Sequence, residues 1–257
     1  MKAALSKSQF INKFSGRFGA ALKPRLRSTN EAIPTGIAEV DSLTSGLPRG
    51  AITEIFGLSS SGRTALILAT LAEATMGKEV CAVVDTTDAF DPKAAMIAGA
   101  DLDRVLWLRC GSILEHAFKA TDLLLQGGGF GLVLLDLADV PAEESRRIIS
   151  SWWYRFRRVV EDTPTAFVVM AQDSCVRSCA SLTLQTTCDE DSWRQTAEPI
   201  IPAGAFQSWN WGSSAPTSFV ELSTHAHLFK GLRLQLHRQK PMSLSNQSVS
   251  FVARISH

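Results

Sequence analysis

The chain predicts an α/β fold: a mostly parallel, twisted sheet flanked by helices and finished by an antiparallel β edge toward its C-terminal end. Three observations carry this. From residue 50 onward, short aliphatic runs alternate with segments of helical period, as expected for parallel strands buried on both faces. The first run, Ala51 to Phe56, feeds into the glycine-bounded stretch Gly57-Leu58-Ser59-Ser60-Ser61-Gly62-Arg63-Thr64, and a helical pattern follows at once. At 257 residues and 45% hydrophobic content, the chain is also long enough to bury one full α/β core.

Taken in order, Thr64 to Met76 places Leu66, Leu68, Ala69, Leu71 and Ala72 at helical spacings and stops at Gly77, a C-cap signal. Val80 to Asp85, Val105 to Leu108, Leu132 to Asp136 and Ala166 to Gln172 read as the next strands, mostly aliphatic runs that end on a polar residue. In an open α/β sheet, functional side chains belong at those carboxyl ends. Glu143 to Glu161 predicts one helix in which Arg146, Arg147, Arg155, Arg157 and Arg158 are mixed with Trp152, Trp153, Tyr154 and Phe156. Basic plus aromatic residues suit a nucleic-acid or partner surface. They equally suit an aromatic stripe packed on the sheet with its arginines in water.

After Gln172 the periodicity weakens. Ser181 to Leu184 is a short strand-like run, and residues 188–218 collect Pro199, Pro202, Pro216, Trp193, Trp209 and Trp211, which predicts an irregular insertion. Phe219 to Ser223, Leu232 to His237 and Val249 to Ile255 then predict a β-meander at the sheet edge. The organisation expected is a basic N-terminal helix or arm over 1–33 and a single core domain over 34–257.

The formal net charge of +1 conceals an asymmetry, because Lys2, Lys7, Lys13, Arg17, Lys23, Arg25 and Arg27 fall within residues 1–30 with no acidic residue among them. Such a block suits an anionic partner. With Phe10, Ile11, Phe14 and Phe18 at helical spacings, it also suits a targeting peptide or a helix that packs on a neighbouring subunit. No apolar run reaches the ~18 residues of a membrane span and no secretory signal is read, so the cytoplasm is expected. The cysteines Cys81, Cys110, Cys175, Cys179 and Cys188 lack zinc-ligand spacing.

The chemistry is carried by residues 57–64. This stretch matches the phosphate-binding P-loop at every defined position but one, where Arg63 replaces lysine. Glycines let the backbone wrap a phosphate, N–H groups point inward, and the hydroxyl of Thr64 suits Mg²⁺. Arginine keeps the charge but replaces a compact ammonium with a wide planar fork. Leu132-Val133-Leu134-Leu135-Asp136 supplies the aliphatic strand with a terminal aspartate that completes the usual pair, Asp136 reaching Mg²⁺ through water. Gly57, Ser59, Ser60, Ser61, Gly62, Arg63, Thr64 and Asp136 are thus the candidate nucleotide-binding residues.

From about residue 34 to the end, the chain resembles the bacterial recombinase RecA. The resemblance lies in Gly46-Leu47-Pro48-Arg49-Gly50, in Ile52 to Gly57, in Asp85-Thr86-Thr87-Asp88-Ala89-Phe90-Asp91-Pro92 and in Ala98 to Asp103. It implies a RecA-like P-loop core that uses ATP and Mg²⁺, with Asp91 reaching the base and Gln172 acting as the polar switch residue. It implies too that Arg238 and Lys240 cross a subunit boundary onto a neighbour's nucleotide. A protected strand edge accounts for the same two cations.

Departures from the family are several. Thr87 stands at the position of the catalytic glutamate and is no general base. Asp88 is one residue away, but a one-residue shift at a strand end turns a side chain elsewhere. Ala94 replaces the tyrosine that stacks on adenine, and both DNA-binding loops are shortened.

Among RecA-like chains, this combination looks like the ImuA group. That implies an accessory role in the SOS response to DNA damage, supporting translesion synthesis with weak or vestigial use of ATP. The implied partners are RecA filaments, DNA, an ImuB-like polymerase relative and an error-prone replicative-type polymerase, with further copies of the chain as a further possibility. Two alternatives stay open: a working RecA-type DNA-dependent ATPase or recombinase, and a SulA-like cell-division inhibitor acting by protein contact.

Overall fold

A computed structural model describes residues 32–188, 232–241 and 248–253. The basic arm, the 188–218 insertion beyond Cys188 and the strand expected at Phe219 to Ser223 lie outside the described residues.

A short pair, β1 (Ala32–Ile33) and β2 (Leu47–Pro48), brackets helix α1 (Ala38–Thr44). The core then runs β3 (Ala51–Phe56), α2 (Arg63–Met76), β4 (Cys81–Asp85), α3 (Pro92–Ile97), β5 (Val105–Arg109), α4 (Leu114–Gly127) and β6 (Leu132–Leu137). It continues with α5 (Ala142–Arg146), α6 (Ser150–Val160), β7 (Ala166–Ala171), β8 (Leu182–Cys188), β9 (Leu232–Lys240) and β10 (Ser248–Ala253). These form one eight-stranded sheet in the order β10-β9-β8-β3-β7-β6-β4-β5. Strands β8 to β5 of that order are parallel, while β9 and β10 add antiparallel.

Strand alternation sends neighbouring side chains to opposite faces. Ile52, Val84, Leu135 and Phe167 join one core, which packs on α4 and α6. Ile55, Val83, Leu134 and Val168 join the other, which α1 and α2 cover. By the same alternation Asp85 and Asp136 turn toward the α2 face, whereas Glu54 turns toward the α4 and α6 face.

The structure corrects two details of the sequence reading. The helix expected over Glu143 to Glu161 is two helices, broken at 147–149 where two β-branched residues, Ile148 and Ile149, fall together. The break lets Ile148 pack on the core while Ile149 stays 68% exposed. Strand β8 extends to Cys188, further than the run at 181–184 suggested. Strand β9 pairs with β8 and, over Leu232 to His237, with β10, so Arg238 and Lys240 lie beyond the β10 pairing and have only β8 registered beside them among the described residues.

Within α6, Trp153 and Phe156 are buried and meet Phe118 and Phe167 in edge and stacked contacts, while Arg155, Arg157 and Arg158 face outward. No helix among the described residues is long and apolar enough to cross a membrane.

Candidate nucleotide cleft

The loop at 57–62 leaves the carboxyl end of β3 and delivers the chain into α2. Ser60 and Gly62 adopt left-handed backbone (φ +62° and +87°), the kind of turn that gathers successive N–H groups around an anion. Only glycine suits position 62, because a Cβ there would collide with Leu234 of β9. At Gly57 a Cβ would meet the carbonyl of Thr186. The loop is thus pressed from behind by β8 and β9. Ser61 belongs to that clamp, since its buried hydroxyl lies 2.7 Å from Thr186 Oγ1 and is spent on β8 rather than offered to a ligand.

In front of the loop lies a cleft of about 200 Å³. Ser59, Ser60, Arg63, Thr64, Asp91 and Asp136 line it together, so six of the residues expected to bind nucleotide converge. A wider hollow of about 290 Å³ between the start of α4 and the α5–α6 break is mostly apolar and holds none of them.

Arg63 is 6% exposed. Its long side chain reaches the strand ends, where Nη1 donates to Ala171 O at 2.6 Å and to Ala138 O at 3.5 Å. Burial pulls the guanidinium below the usual arginine pKa, against the attraction of Asp136 and Asp139. Both bonds leave from the one nitrogen, Nη1.

Asp136 is 5% exposed, and its Oδ1 accepts from Ala138 N at 2.9 Å. Burial pushes its pKa up to about 6; the Ala138 N–H opposes this, Asp85 and Asp139 add to it, and Arg63 counters. Thr64 is exposed on the first turn of α2. A hydroxyl and a carboxylate on the same cleft are hard oxygen donors, so in donor chemistry they fit Mg²⁺.

The segment after β4 is organised by Asp85, the register partner of Asp136. Its buried carboxylate accepts from Ala89 N, Phe90 N and Trp107 Nε1 at 3.0–3.1 Å. Thr87 is half-buried and does not line the cleft. Asp88, held in left-handed backbone (φ +64°), turns outward to the Arg109 fork through bonds of 3.0 and 2.8 Å, and that pairing lowers its carboxyl pKa. Asp91 caps α3 by accepting from Lys93 N at 2.8 Å.

Gln172 follows β7 directly and is half-buried. The loop beyond it is tied down by Glu54, whose carboxylate accepts from Cys175 N, Val176 N and Ser174 Oγ at 2.6–2.9 Å. On α5, Arg146 pairs with Asp173 at 2.7 Å. Arg155 grips Asp122 of α4 with both nitrogens, at 2.7 and 2.6 Å. Of the five arginines proposed for DNA or partner contact, these two are engaged within the chain, while Arg147, Arg157 and Arg158 are exposed. Arg238 donates to Leu43 O at the end of α1, and Lys240 donates to Ser178 O and Ala180 O. A reach onto a neighbour's nucleotide requires these bonds to be released.

Phe90 and Asp139 also line the cleft, and the sequence reading did not assign them. Phe90 stands beside Asp91, which was a usable signal; nothing in the sequence marks Asp139.

The sequence pattern of the RecA N-terminal domain matches residues 4–146. Among curated proteins, the chain is 34% identical to protein RecA of Aquifex pyrophilus over 142 residues, covering 52% of this chain and 40% of that protein. It is 39% identical to protein RecA of Brucella anthropi over 108 residues (41% of this chain, 30% of that protein). Protein RecA of Symbiobacterium thermophilum is 40% identical over 118 residues (44% and 33%). The aligned region thus spans about two fifths or less of each of these relatives.

Proposed function

The chain belongs to the family of the RecA N-terminal domain, which matches more than half of it, and from that premise we propose that it is a RecA-like accessory protein of the DNA-damage response. In this reading it works by binding, supporting error-prone synthesis across lesions beside RecA filaments, an ImuB-like partner and a replicative-type polymerase. Turnover of ATP is weak or absent. When a nucleotide is held, the P-loop backbone and Arg63 grip its phosphates. Thr64 and Asp136 are the residues that would hold Mg²⁺, whose contribution when bound is neutralisation of phosphate charge.

The observation that carries the proposal is at the end of β4. Thr87 has no carboxylate, and the adjacent carboxylate of Asp88 is turned away and gripped by Arg109. Asp85 spends its oxygens on three donors of its own chain. No group from this strand end is left to take a proton from an attacking water, and a positioned base contributes about 10²- to 10⁴-fold.

A second reading, a working RecA-type ATPase, is favoured by the cleft itself, which still brings Thr64, Asp91 and Asp136 together. Hydrolysis assays on purified protein with and without single-stranded DNA separate the two. The accessory reading expects almost no DNA-stimulated turnover; a rate near one per second overturns it. Under the accessory reading the double variant R63K/T87E raises nucleotide affinity or turnover only if the rest of the pocket is intact.

A further inference from the structure

Resting on the nucleotide reading of the cleft, one feature of its wall goes further. The position at which the RecA family stacks a tyrosine on the base is Ala94 here, a methyl group that leaves the adjoining space open. The same cleft acquires an aromatic ring from another position, Phe90.

Phe90 is half-buried and firmly placed. Its backbone N–H donates to Asp85 Oδ2 at 3.0 Å, and the same oxygen accepts from Trp107 Nε1 at 3.0 Å. The Phe90 and Trp107 rings meet with centroids 5.6 Å apart at 60°, and the Arg109 guanidinium covers Trp107 at 5.2 Å. One buried carboxylate therefore fixes both the ring that faces the cleft and the ring that supports it. A platform held this way needs no ordering when a ligand arrives, which favours affinity. Asp91, the next residue, lines the cleft too, and one of its oxygens caps α3.

We infer that Phe90 is the base platform of this site: the flat face of a purine nucleotide rests on its ring, while the 57–64 loop holds the phosphates. The shift from position 94 to position 90 makes the platform part of the Asp85-organised turn rather than of helix α3.

Calorimetric titration of the full-length protein with ADP and with inorganic tripolyphosphate tests this, because only the first carries a base. Phe90→Ala is expected to weaken ADP about tenfold or more, in line with ~1–3 kcal/mol for a base stacked on an aromatic ring, and to leave tripolyphosphate unchanged. Phe90→Leu keeps apolar packing but lacks a π face; it is expected to lose ADP affinity with an unchanged melting temperature, and Phe90→Tyr to restore it. Unchanged ADP affinity in Phe90→Leu overturns the inference and leaves the nucleotide reading standing. Equal weakening of ADP and tripolyphosphate also overturns it, since Phe90 then only shapes the cleft. If the wild type binds neither probe, the nucleotide reading falls and the platform with it.

Discussion

Glu54 and Asp136 are both buried carboxylates near the carboxyl end of one sheet, on opposite faces of it, and their surroundings differ. Glu54 accepts three hydrogen bonds through both oxygens, all from the segment 174–176. Asp136 accepts one, from Ala138 N, and keeps its remaining capacity in a cleft beside Arg63. Burying a charge is costly unless hydrogen bonds or a partner offset it. A saturated buried carboxylate behaves as scaffold, which is how Glu54 shapes the loop behind Gln172. An incompletely satisfied one facing a cleft, with its pKa displaced by burial, is the kind of group from which ligand sites are built.

The largest test of that contrast is Glu54→Ala. It strands three donors in the α4–α6 face, and an expected loss of about 3 kcal/mol or more is read by urea denaturation. A loss under about 1 kcal/mol breaks the comparison at its scaffold end.

Asp136→Asn acts in the opposite direction. The folded-state pKa of Asp136 is raised to about 6, so between the unfolded value near 4 and 6 the native state holds a proton that the unfolded chain has released. Its contribution to stability is full below the unfolded pKa and is lost as pH rises through about 6. Asp85 from β4, Asp139 and Arg63 are the charged groups that set this balance. The asparagine variant should gain on the order of 2 kcal/mol at pH 7 and flatten the profile between pH 4 and 6. A difference between wild type and asparagine variant that stays constant with pH over that window contradicts the assignment.

The smallest effect expected on folding is at Arg157→Ala with Arg158→Ala. These exposed side chains should change stability by no more than about 0.5 kcal/mol, while lowering the salt slope of any DNA binding by about one for each phosphate they neutralise. An unchanged slope removes this part of α6 from a DNA surface.

Much of the fold was legible because the central strands β4, β6 and β7 are nearly unbroken aliphatic runs. Parallel strands covered on both faces leave that mark at any position in the chain. The P-loop was legible for a local reason, since its spacing and glycines serve the backbone of one turn. The α5–α6 break was harder, because the 3.6-residue period continues across Ile148 and Ile149 and only packing shows which of the two goes inward. The reach of Arg63 to Ala171 O depends on β7, more than 100 residues further along, lying directly beside β3.

The amino-acid order alone determined the α/β class, the sheet's parallel core, the loop at 57–64 and the absence of a carboxylate at position 87, all consequences of local pattern and residue type. Tertiary structure decided where key side chains went: Arg63 onto Ala171 O at the end of β7, Asp88 onto Arg109, Arg238 onto α1, and Phe90 into the cleft that Ala94 leaves open. A side chain's partner is set by which strands lie side by side, and strand order is a property of the packed sheet rather than of any stretch of sequence.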